Sequence, residues 1–247
     1  MNLTTAGAVF QPEKTQVMTK STYNELINDS LVHQSVTERL EDFGGKNRIE
    51  LDNELISLIL DLYNDDQDFP YQKIRKFSMG DILAYLQATH RYYLTKKLPE
   101  IEQSLLHIFS KYGQTHELLA ELCLFFNEYK NDLVEHVKME EREFFPYIKK
   151  LMKASAGEYT KAEIAELLNS ASISQFTEHH DSIEDELKEV SQIIHRYSPV
   201  ERPPMPYRVF LNQVEFFELE LRKHAIIEDH VLVPMAVELE AQLRASL

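Results

Sequence analysis

Two stretches of this chain carry the same pattern of ligand-competent residues. His136-Val-Lys-Met-Glu140 and His224-Ala-Ile-Ile-Glu228 both read His-x-x-x-Glu, and each is followed by a proline, Pro146 and Pro234, ten residues after its histidine. The two copies lie 88 residues apart. A further histidine precedes each at a nearly matching distance: His90 stands 46 residues before His136, and His180 stands 44 before His224. Residues four apart share a helix face, so each His/Glu pair projects in one direction. Burying an unpaired carboxylate or imidazole costs several kcal/mol, and six such groups meeting at one depth require a compensating cation. With no thiolate in the set, iron or manganese suits it better than zinc or copper. Two octahedral ions bridged by both glutamates would keep positions for an oxo or hydroxo bridge and for a small ligand. Such a di-iron centre is richer in imidazole than the ferritin type, whose Glu-x-x-His motif is absent from the sequence.

The residues around these histidines predict the elements that must position them. Phe210, Val214, Phe217, Leu221, His224, Glu228, Val231 and Met235 form one heptad-like stripe, and Leu122, Tyr129, Leu133, His136, Glu140 and Phe144 form another. Leu83, Leu86, His90 and Ile101 make a third, and Phe176, His180, Ile183, Leu187 and Val190 a fourth. Each apolar seam carries its polar residues near the middle. The expected helices run from Ser78, a candidate N-cap, to about Tyr112 with a bend at Pro99, and from about Thr115 to Lys153. A third starts at the capping box Thr160-Lys-Ala-Glu163 and continues to Tyr197; Pro199, Pro203, Pro204 and Pro206 then form a stiff crossover to a fourth that reaches the C-terminus. The expectation is an all-α fold, an up-down four-helix bundle over residues 76–247. A small helical module over 21–70 precedes it, broken at Gly44–Gly45 and joined by a linker at Asn64–Tyr71, with residues 1–20 as a flexible N-terminus.

Composition narrows the classes. The 247 residues are 43% apolar with a formal charge of −15, which argues against a nucleic-acid partner because phosphate contact needs a basic face. Six glycines are too few for a sheet-rich fold of this length. No apolar run approaches a membrane span, and no secretory signal is visible, so the expected location is cytoplasmic. The single cysteine, Cys123, excludes an intrachain disulfide and a cysteine-ligated cluster within one chain, and its apolar surroundings read as a buried, inert thiol.

The stretches Thr89-His-Arg-Tyr-Tyr-Leu, Leu98-Pro-Glu-Ile-Glu102, His136 to Pro146, Glu178-His-His-Asp181 and His224 to Pro234 resemble those of hemerythrin-like domains, and most closely the repair-of-iron-centres family. The resemblance covers about two thirds of the chain. It implies a hemerythrin-like bundle whose metal ligands are His90, His136, Glu140, His180, His224 and Glu228, holding two iron ions. Oxygen-carrying hemerythrins resemble the chain less, because Glu184 stands where they add a histidine. The family's N-terminal module has an adjacent cysteine pair near a Gly-Gly, whereas this chain has Glu41-Asp-Phe-Gly-Gly-Lys46 there. That departure puts sulfur-ligated cluster handling in doubt.

Glu143, Glu184 and Asp229 lie within a turn of these positions and are alternative ligands. They rank second because none has a repeat-related acidic counterpart placed as Glu140 and Glu228 are. His33, His107, His116, His179, His195 and His230 read as surface or supporting residues, and Tyr129 as either a core residue or a hydrogen-bond partner of the centre. The resemblance implies a di-iron protein of the nitrosative and oxidative stress response that helps restore damaged iron–sulfur centres, by iron donation or nitric-oxide chemistry. The alternatives are an O₂- or NO-binding sensor or carrier, and a nitric-oxide reductase. Expected partners are a small diatomic ligand and iron–sulfur proteins, with neither nucleic acid nor membrane; a homodimer stays open.

Overall fold

A computed structural model of the chain describes residues 20–41, 51–64, 69–112, 118–177 and 205–247. Every regular element among them is helical. Three short elements lead in: α1 (Lys20–Leu40), α2 (Asn53–Asn64) and α3 (Tyr71–Ile74). Three long helices follow the same plan, an α-helix, one π-helical turn and a second α-helix. In α4 these are Met79–Tyr92, Tyr93–Lys97 and Leu98–Tyr112; in α5, Leu118–Met139, Glu140–Phe144 and Phe145–Ser155. Between α5 and the last helix stand α6 (Lys161–Ser170) and α7 (Ile173–Thr177). The last, α8, comprises Met205–Ile227, Glu228–Leu232 and Val233–Ala245.

The ends of these helices follow from local chemistry. Ser78 caps α4, its Oγ accepting the Asp81 N–H at 3.0 Å. Thr160 and Glu163 close a reciprocal capping box at the start of α6. α5 stops where Gly157 takes φ +83°, a left-handed geometry that a side chain would oppose, and Glu158 N–H reaches back to Lys153 O at 3.1 Å. The helix expected to run unbroken from Thr160 is interrupted instead. Ala171 is extended at φ −158°, ψ 165°, in a run (Asn169, Ser170, Ser172) whose side chains compete with helical hydrogen bonding. Its carbonyl accepts from Tyr147 Oη at 2.8 Å, and Glu240 accepts the Ile173 N–H at 2.9 Å. The remainder of that expected helix, with His180, and the prolines up to Pro204 lie outside the described residues.

Each π-turn begins six residues before a proline: Tyr93 before Pro99, Glu140 before Pro146, Glu228 before Pro234. Proline donates no N–H, and its ring crowds the carbonyl four residues back. Widening one turn relieves that crowding without ending the helix, and the bond that closes the wide turn is the same in all three. Leu98 N–H reaches Tyr93 O, Phe145 reaches Glu140 O and Val233 reaches Glu228 O. The bend expected at Pro99 is therefore a π-turn ahead of it, repeated in two further helices.

α4 runs antiparallel to both α5 and α8: Leu98–Tyr112 packs against Leu118–Met139 and Met205–Ile227, while Met79–Tyr92 meets the π-turn of α8. The apolar core divides into two clusters along the helices. One gathers Leu83, Leu86, Phe144, Ile148, Val231 and Leu232; the other gathers Tyr93, Ile101, Leu133, Val137, Val214 and Phe217. His90, Glu140, His224 and Glu228 fall at the boundary between them on every helix. α1 packs on Met79–Tyr92, and its Val32, Val36 and Leu40 belong to the first cluster.

Candidate metal centre

The polar residues at that boundary converge. One donor atom from each of His90, Glu140 and His224 lies within 4.8 Å of the others, and all three residues are buried. His90 Nε2 stands 3.0 Å from Glu140 Oε2 and 3.1 Å from His224 Nε2. His136 Nε2 is 3.0 Å from Glu140 Oε1, and His224 Nε2 is 3.6 Å from Glu228 Oε2. Glu140 and Glu228 are wholly buried and lie close enough to act on each other electrostatically. Five of the six residues read from the sequence as ligands therefore form one connected set, supplied by α4, α5 and α8. The sixth, His180, lies outside the described residues, as does Glu184. Glu143 and Asp229 are exposed on their helices.

The electrostatics are those of a site built for a cation. Burial first, and then the Glu140 carboxylate, push the Glu228 carboxyl well above the usual carboxylate range. Burial and the neighbouring His90 hold the His224 imidazole well below its ordinary value, which keeps it neutral with a lone pair to offer. Burial alone would also lower His90, but its hydrogen bonds to the Glu140 and Glu141 carboxylates outweigh it and raise that group. An ion bonded at about 2.0–2.2 Å needs donor atoms no more than about 4.4 Å apart, a span these side chains approach already. The mixed imidazole and carboxylate set suits iron or manganese.

Two supporting features were not read from the sequence. Glu141 Oε1 lies 2.9 Å from His90 Nδ1, and Gln87 Nε2 donates to its other oxygen at 2.6 Å. A carboxylate on Nδ1 places the proton there and turns Nε2 toward the centre, while Phe145 stacks on the ring at 5.3 Å and 8°. The repeat held the signal: Asp229 is the counterpart of Glu141, 88 residues on. The second feature is Arg39 of α1, fully buried against Glu220, which stands one turn before His224. Its Nη2 is 2.6 Å from Glu220 Oε1, and its Nη1 donates to Tyr85 Oη at 2.8 Å. Ser35 donates to the same Glu220 oxygen. The rings of Tyr63, Tyr92 and Tyr93 surround the guanidinium at 5.5–5.9 Å, and Tyr93 meets the His224 ring edge-on at 5.9 Å.

The remaining candidates stand apart. Tyr129 is buried beside Phe126 in the second cluster. His33 and His107 are exposed, and His230 is exposed with its ring stacked on Tyr71 at 4.8 Å. His116, His179 and His195 lie outside the described residues. Cys123 is half-buried, and desolvation raises its thiol above the ordinary range, the opposite of activation. No helix among the described residues is long and apolar enough to cross a membrane.

No family model matches the chain. It is 20% identical over 178 residues to the iron–sulfur cluster repair protein ScdA of Staphylococcus haemolyticus, an overlap of 72% of this chain and 75% of that one. To the iron–sulfur cluster repair protein YtfE of Pectobacterium carotovorum subsp. carotovorum it is 26% identical over 168 residues, 66% of this chain and 68% of that one. A ScdA protein of Staphylococcus epidermidis is 18% identical over 155 residues, 63% and 65% of the two chains.

Proposed function

We propose that this chain is a di-iron protein with a hemerythrin-like four-helix bundle that takes part in restoring damaged iron–sulfur centres. The observation that carries this reading is the buried meeting of His90, Glu140 and His224, with His136 3.0 Å from Glu140 and Glu228 3.6 Å from His224. The likeness to proteins named for iron–sulfur cluster repair supplies the process. His180 completes the proposed ligand set, on the strength of the repeat. A reducing, cytoplasmic setting is in keeping with a single unpaired cysteine.

His90, His136, Glu140, His180, His224 and Glu228 would hold two iron ions, which supply coordination positions for a small diatomic such as nitric oxide and electrons for its chemistry. The protein's own residues do the rest. Glu140 and Glu228 would offset part of the positive charge at the bundle centre. Glu141 fixes the His90 tautomer. Phe145 covers a face of the His90 ring, and Tyr93, packed on Phe217, meets His224 edge-on, which keeps water from both rings.

The test is metal analysis with Mössbauer spectroscopy on the wild type and on His136→Ala and Glu228→Ala, alongside reactivation of a nitric-oxide-damaged hydratase-type cluster enzyme. The expected result is about two irons per wild-type chain, loss of one or both in each variant, and reactivation that falls with the iron content. Full iron in both variants would remove these residues from the centre. An iron-loaded wild type that leaves the damaged enzyme inactive would overturn the repair role.

A further inference from the structure

Away from the metal centre, α1, α4 and α8 enclose a cavity of about 360 Å³. Its size lies within the range of small-molecule sites. Glu38 is fully engaged on one wall, accepting from Lys96 and, at 3.3 Å, from Tyr92 Oη. Lys97 and Glu100, which also line the cavity, have no ion-pair partner among the described residues. They stand three apart on one helix, a spacing that ordinarily allows pairing, yet neither forms an ion pair with the other or with any other described residue. Lys97 Nζ instead rests 5.3 Å from the ring centroids of both Tyr92 and Phe216. Gln213 adds a buried side-chain oxygen that has no hydrogen-bond partner among the described residues. At the rim, Leu31 and Val209 leave 44% and 41% of their surfaces exposed.

We propose that this cavity is a binding site for a free amino acid with an apolar side chain. A zwitterion answers each vacancy. Its carboxylate meets the Lys97 ammonium, and its own ammonium meets Glu100 and the Gln213 oxygen. Its side chain covers the apolar rim and the Phe216 ring. A simple anion would leave Glu100 and the Gln213 acceptor without a donor; a simple cation would leave Lys97 unmatched. Because Leu31 and Glu38 belong to α1, the site exists only while α1 is docked on the bundle.

The experiment is isothermal titration of the full chain with L-leucine and L-phenylalanine, and with two leucine analogues that each lack one charge: L-leucinamide without the carboxylate and 4-methylpentanoate without the ammonium. The chain has no tryptophan, so tyrosine emission, to which Tyr92 contributes, gives a second readout. The expected result is saturable one-site binding of at least one of the amino acids, with each analogue weaker than leucine by about tenfold or more. In Lys97→Met the preference for leucine over leucinamide disappears, and in Glu100→Gln the preference over 4-methylpentanoate disappears. The analogue comparison on wild type stands whether or not a variant folds. Absence of saturable binding of both amino acids, analogues that bind as tightly as leucine, or folded variants that keep the wild-type preferences would each overturn the proposal.

Discussion

At the residue scale, the centre is a set of groups that oppose one another until a cation joins them. A carboxyl such as Glu228, raised in the folded state, contributes stability that is fully present below the unfolded-chain pKa and is lost as pH rises through the folded-state value. The metal-free protein should therefore lose stability as pH climbs from about 4 upward. Glu228→Gln keeps the shape and removes the charge. In the presence of a chelator its Tm should exceed that of wild type at pH 7, with the gap closing toward pH 4, and iron should no longer bind in full. A variant less stable than wild type across that range would show that the Glu228 charge is compensated without metal. Glu141→Gln tests the outer partner of His90. It still fills the space beside Nδ1 but loses the carboxylate that makes the ring a stronger ligand, so chelator competition should reveal metal affinity lower by about 10–100-fold.

At the element scale, α1 is tied to α8, the helix that carries His224 and Glu228, by the Arg39–Glu220 pair, both side chains fully buried. Arg39→Met strands the Glu220 carboxylate with Ser35 alone and should destabilise the fold by about 3–5 kcal/mol. Adding Glu220→Met should recover most of that loss, as urea midpoints of the single and double variants would show; equal losses in the two would mean that the arginine packs rather than pairs. This latch was not legible in the sequence, because its partners are 181 positions apart and Glu220 reads as one more solvated helix residue. The seams were legible, since Phe210, Val214, Phe217 and Val231 recur at the helical period and are all buried. Of the three prolines, one was read as a bend and none as the close of a π-turn, because nothing in composition distinguishes a widened turn from a kink. The repeat marks Glu141 through its counterpart Asp229, but its partner is not marked, because the contact with His90 depends on α4 passing beside α5.

At the scale of the whole molecule, three helices that are distant in sequence pack through two apolar clusters and, at the boundary between them, bring together groups that a cation would unite, so metal binding and folding would be linked. An ion that binds the folded chain and not the unfolded one stabilises it by about 2.7 kcal/mol at a free concentration 100 times its Kd. Anaerobic melts should show a Tm that climbs with ferrous iron and falls back on chelation; a melt indifferent to iron would separate the bundle's stability from the centre. The widened turns carry a further consequence. In α5 and α8 a histidine, a glutamate that opens the wide turn and a closing proline recur as one eleven-residue cassette. Everything needed to aim an imidazole and a carboxylate at a shared point is local to that segment, so it is portable: grafted in pairs onto parallel members of an unrelated designed bundle, it should bring four of the six proposed ligands with it.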